Sequence, residues 1–139
     1  MLEFPQSFET ARSQALARVA ETMLRALGGA EVTLRLPLGV ELPNSDLGLA
    51  TPATEDVVLR PAVLRSLPAT RTAPGARVEL VVAASTVLEQ AAKRNADSAE
   101  ALLDSALGIV QHDRLLRIES VDVHSMADDP CFFLITATE

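Results

Sequence analysis

The spacing of apolar residues changes at Gly28-Gly29, and that change constrains the fold more than any other feature of the chain. Before it, Phe8, Ala11, Ala15, Leu16, Val19, Ala20, Met23, Leu24 and Leu27 recur every three or four residues, the pattern of one helical stripe. Arg12, Arg18, Glu21 and Arg25 fall on the other side of that helix. Pro5 suits a first helical turn, and the glycine pair supplies the left-handed residue that ends one. A helix is therefore predicted from Pro5 to Leu27, within an N-terminal unit of residues 1–29. After it the period is two. Val32, Leu34 and Leu36 share one face of a strand, and Glu31, Thr33 and Arg35 share the other.

Residues 37–55 hold Pro37, Gly39, Pro43, Asn44, Ser45, Asp46, Gly48 and Pro52, a density of turn formers that predicts a long loop or arm. Leu38, Val40, Leu42, Leu47 and Leu49 lie between them and are the candidate interaction residues. Val57 to Leu59 reads as a short strand closed by Arg60-Pro61, Ala62 to Leu67 as one helical turn, and Arg77 to Ala84 as the most apolar strand. A helical insertion is expected over 85–108 in two parts. Ser85-Thr86 with Glu89 would cap the first part, and Asp97 with Glu100 the second. The last third alternates again: Ile109-Val110, a turn at Gln111-His112-Asp113, a strand from Leu115 to His124, a longer turn over 125–130, and a strand from Cys131 to Thr138. Strands adjacent in sequence tend to pair, and there is only one strand–helix–strand passage. The fold class expected is α+β, a single domain over 1–139. It has a long N-terminal amphipathic helix and a curled, mainly antiparallel sheet or small barrel with a helical insertion.

Composition narrows the functional classes. With 3% aromatic residues, four Phe and no Tyr or Trp among 139 residues, there is no platform for stacking bases or sugars. A formal charge of −7 argues against a broad nucleic-acid surface, because phosphate binding needs surplus Lys and Arg. That excess sits in residues 84–139, where ten acids face only Lys93, Arg94, Arg114 and Arg117. An acidic half of this kind also suits a protein-binding module that meets a basic partner. One Cys makes neither an internal disulfide nor a multi-thiolate metal site. No apolar run approaches the ~18 residues of a membrane span, and the N-terminus lacks the pattern of a signal peptide. Neither membrane association nor secretion by a signal peptide is expected.

The residues that most suggest chemistry are Asp122 and His124, two apart on a predicted strand and so on one face. His112-Asp113 opens the same hairpin and Asp128-Asp129 follow. A small metal-dependent enzyme using His112, Asp122 and His124 is one alternative reading. Their spacing matches no specific ligand motif such as H-E-x-x-H, and a polar strand face with two polar turns accounts for the same residues. No catalytic residue, metal, cofactor or small-molecule substrate is assigned. Cys131 lies seven residues after His124, a spacing that also raises a Cys–His nucleophile pair. Gly28-Gly29 follows a helix instead of preceding one, so it offers no anion cradle, and no G-x-S-x-G elbow is present.

Three stretches carry a family resemblance: Val57-Val58-Leu59-Arg60-Pro61-Ala62-Val63-Leu64-Arg65, Val78-Glu79-Leu80-Val81-Val82-Ala83-Ala84-Ser85-Thr86-Val87, and Leu115-Leu116-Arg117-Ile118-Glu119-Ser120-Val121. Together with the leading helix they resemble the small structural proteins of tailed phages and prophages, of the head–tail joining, neck or tail-completion type. The resemblance rests on the order of apolar segments. It implies a small barrel or curled sheet with an inserted helical segment, and a non-enzymatic adaptor that works by assembling. Homo-oligomers and other virion proteins would be its partners, and the virion or the host bacterial cytoplasm its location. It transfers no catalytic residue.

Overall fold

Six strands close into an antiparallel barrel in the order β1-β2-β3-β6-β5-β4. The computed structural model describes residues 6–44, 49–68, 71, 75–126 and 128–139, with side chains described for 12–37, 53–68, 71, 75–126 and 128–139. In chain order the elements are α1 (Gln6–Ala26), β1 (Ala30–Asn44), β2 (Leu49–Leu67), β3 (Arg77–Ala83), α2 (Ala84–Lys93), α3 (Ala99–Ser105), β4 (Gly108–Gln111), β5 (Arg114–Met126) and β6 (Asp129–Thr138). The α+β class and the helical insertion agree with the sequence pattern, and the curled sheet is a closed barrel.

The core follows from strand alternation. Val32, Leu34 and Leu36 of β1, Val57 and Leu59 of β2, Val78, Leu80 and Val82 of β3, Ile109, Leu116, and Phe133, Ile135 and Ala137 of β6 form one buried cluster. Each of these Val, Leu, Ile and Phe side chains contributes about 1.5–3 kcal/mol on burial. The insertion joins that cluster. Ala84, Val87 and Ala91 lie along one face of α2, and Ala99, Leu102 and Leu103 of α3 are buried beside them. Wall strand β4 has only four residues and meets β1 only at Thr33–Arg35. α3 stands beside the stretch of β5 that this short strand leaves unpaired, with Leu103 and Asp104 facing residues 117–121. Gly108, where the chain returns to the barrel at φ +155, sits so tightly that a Cβ would fall on the Leu116 carbonyl.

α1 relates to the barrel differently. Of the predicted stripe, Ala20 and Leu24 are buried, while Val19, Met23 and Leu27 are 50%, 50% and 68% exposed; the side chains of Phe8 and Ala11 lie outside the described residues. The helix ends as expected: Gly29, at φ +56, donates its N–H to the Leu24 carbonyl at 3.0 Å.

Several local readings need correction. The described part of 37–55 is strand, not loop: β1 runs on to Asn44 and β2 starts at Leu49, paired from Pro37↔Thr54 to Asn44↔Leu49 with a register shift between Pro37 and Glu41, and residues 45–48 lie outside the described residues. Arg60-Pro61, a cis peptide, does not close β2, and Ala62 to Leu67 is strand, not a helical turn. There β2 changes neighbours, from β1 (last pair Ala30↔Ala62) to β3 (first pair Ala62↔Val82). A residue without an N–H is tolerated at such a corner. α2 begins at Ala84 with Ala83 as an N-cap that makes no side-chain bond. Ser85 and Thr86 therefore lie inside the first turn, where Ser85 Oγ donates to Glu21 and Thr86 Oγ1 to the Arg60 carbonyl. Ser98, not Asp97, caps α3, accepting from the Ala101 N–H at 3.0 Å. The β5–β6 turn is also shorter than expected, since Met126 pairs with Asp129.

Candidate interaction site

The β1–β2 hairpin extends past the pairs through which the barrel's other strands hold it. On its outer side β1 pairs with β4 only through Thr33–Arg35, and β2 pairs with β3 only through Ala62–Leu67. From Leu36↔Glu55 to Asn44↔Leu49 the two strands pair only with each other among the described residues. The result is a two-stranded ribbon that leaves the barrel wall, in place of the expected arm-like loop. Leu38, Val40, Leu42 and Leu49 lie on its strands. Leu47 lies outside the described residues, as do the side chains of the other four.

Polar groups fix the root of this ribbon. Arg35 on β1 stands opposite Asp56 on β2. Its guanidinium donates to both carboxylate oxygens, at 2.8 and 3.1 Å. That hydrogen bonding holds the Asp56 carboxyl below the usual aspartate range and raises Arg35 further. One residue along, Glu55 pairs with Arg94 at the end of α2 at 2.7 Å, tying the insertion to the same place.

The chemistry-bearing residues are dispersed. His112 and Asp113 occupy the two-residue turn between β4 and β5, both with positive φ (51 and 62). Asp122 and His124 lie near the other end of β5, opposite Leu134 and Phe132 on the outer face, and are exposed. At about 3.3 Å per residue the two histidines are roughly 40 Å apart along the strand, so His112 does not join Asp122 and His124. Among the described residues no group of three His, Cys, Asp or Glu comes together as a metal site. Cys131 is buried on the inner face and its thiol donates to the Asp129 carbonyl at 3.6 Å. His124 points outward, so the strand separates the two groups of the Cys–His pair. Asp129 is engaged by Arg12 of α1 at 3.2 Å.

Sequence reasoning did not single out the free edge of β5. Beyond Leu116 that strand pairs only with β6 among the described residues. A weak sequence signal exists: β5 is thirteen residues long while its hairpin partner β4 has four, so most of β5 must find its neighbour elsewhere.

Comparison of the chain with protein-family models, with curated proteins and with solved structures finds no match. Among the described residues no helix is long and apolar enough to cross a membrane.

Proposed function

We propose that the chain is a non-enzymatic structural adaptor that works by assembling, of the head–tail or neck type found in phage and prophage modules. The observation that carries this reading is the β1–β2 ribbon, which continues past the last pairs that the barrel makes with it. An isolated two-stranded ribbon is marginal in water, and a third strand or a packing surface makes it stable. A neighbouring subunit is the surface the proposal supplies. One heterologous contact of this kind, repeated around an axis, closes a ring when the rotation per subunit closes. The resemblance in segment order supports the same reading. The partners proposed are further copies of this chain and other virion proteins, in the virion or the host bacterial cytoplasm.

Deleting residues 38–50 tests it. Pro37 then connects to 51–53 as a short turn, with the Pro37↔Thr54 pair retained. The full chain is expected to form rings or higher oligomers by electron microscopy and light scattering, and the shortened barrel to lose them while keeping its circular-dichroism spectrum and cooperative unfolding. Unchanged assembly after the deletion overturns the proposal.

A further inference from the structure

Strand β5 carries a second open surface, independent of the ribbon. β6 runs along one side of it from Arg117 to Met126. On the other side β4 meets only Arg114–Leu116, and among the described residues no backbone hydrogen bond reaches that side further along. Residues 117–121 face a groove whose opposite wall is α3, at Leu103, Asp104 and Ala106. That wall ends at Val121. From Asp122 to Met126 every residue is exposed, although Val123 stands opposite buried Phe133. At that inward register Val123 is still 40% exposed, because among the described residues β6 flanks it on one side and no strand on the other. Every second residue of such an edge aims its N–H and C=O at whatever comes alongside, a template for another strand.

The side chains along this edge select the partner. Asp122 and His124 face outward and Val123 inward. An antiparallel strand related by a two-fold axis through Val123 sets Asp122 opposite His124 of a second copy and His124 opposite Asp122, with Val123 against itself. Both polar pairs are then carboxylate with imidazole, whose N–H donates, and the inward pair is apolar. Neighbouring registers lose this match. An axis through Asp122 sets carboxylate on carboxylate, and one through His124 sets imidazole on imidazole. A one-residue slip in the pairing sets outward residues against inward ones. Pairing Arg117 with Asp122 is also unlike-charged, but it lays the whole paired stretch along 117–122 against α3, whereas the axis through Val123 keeps its three central pairs beyond that wall.

We propose that Asp122–His124 on β5 is a self-complementary edge, through which two copies of this chain join their sheets antiparallel about a two-fold axis at Val123. The contact is isologous, so it links two subunits and does not by itself build a ring. It does not rest on the ribbon reading. A few residue pairs bury less than the roughly 1,000 Å² of a permanent interface, so the dimer forms and dissociates with concentration.

Sedimentation of the full chain over a concentration series tests this. A monomer–dimer step is expected for the native sequence. His124→Asp creates two facing carboxylate pairs and Asp122→His two facing imidazole pairs, and each weakens dimerisation about tenfold. The double exchange Asp122→His/His124→Asp restores it, which no merely structural role of either side chain would produce. As a second readout, Val123→Cys gives a covalent dimer under mild oxidation, because directly opposite residues of an antiparallel pair have their Cα atoms about 4.5–5.5 Å apart, within reach of a disulfide. A native chain without the dimer step, single variants that dimerise normally, a double exchange that stays weakened, or no cross-link through residue 123 would each overturn the proposal.

Discussion

The α2–α3 insertion and α1 are both helical and both touch the barrel, yet the barrel uses them in opposite ways. The insertion sends Val87, Leu102 and Leu103 into the same buried cluster as the strands, each 3% exposed or less. Among its described side chains α1 buries Ala20 and Leu24 and leaves Val19 and Met23 half exposed. A helical stripe is therefore a poor guide to how much of a helix the core will take. What decides is whether the barrel has a gap for it, and the short β4 leaves one beside α3.

The sharpest way to break this contrast is Leu103→Ala. Leu103 is 1% exposed within the shared core, so truncation removes buried surface and leaves a cavity. It is expected to cost about 2–5 kcal/mol, read from the shift of the denaturant midpoint at constant slope. A loss below 1 kcal/mol would mean that the insertion lies on the barrel without completing it. Met23→Ala is the counterpart on α1. Met23 is half exposed, Ala is the better helix former, and stability should change by no more than about 0.5 kcal/mol. A larger loss in the same assay would show that Met23 is covered in solution, as a contact between subunits would require.

The same contrast marks what the sequence made legible. The alternation of Val78, Leu80 and Val82 and of Phe133, Ile135 and Ala137 gave strands with the correct inward face, because both flanks of those strands are paired and the period is enforced. Gly28-Gly29 gave the helix end, since a positive φ is a local requirement. Residues 37–55 read as a loop because prolines in a ribbon with no strand outside it among the described residues resemble prolines in a loop. Pro37, Pro43 and Pro52 leave an N–H missing where the barrel offers no third strand to receive it. Pro61 misled in the same way, at the corner where β2 changes partners. The candidate site was legible only in part: Asp122 and His124 do share a face, but their meaning lies in an edge that exists only once the barrel has closed unevenly.

Polar ties should matter least at either place, and Asp56→Asn measures one of them. The Arg35–Asp56 pair joins β1 to β2 at the root of the ribbon, and both side chains remain open to water, which screens the pair. Its geometry is good, with two hydrogen bonds from one guanidinium. Because these bonds hold the folded-state carboxyl below the range of the unfolded chain, the pair stabilises the fold above the ordinary aspartate range. That contribution is lost as pH falls through the depressed folded value, where Asp56 takes up a proton while Arg35 stays charged. Asp56→Asn should therefore lower the thermal midpoint slightly at neutral pH and low salt. The gap from the native chain should shrink with added salt and close in strong acid. A large loss at neutral pH that salt does not touch would show that the root of the ribbon is buried against something, and would move this pair to the core side of the comparison.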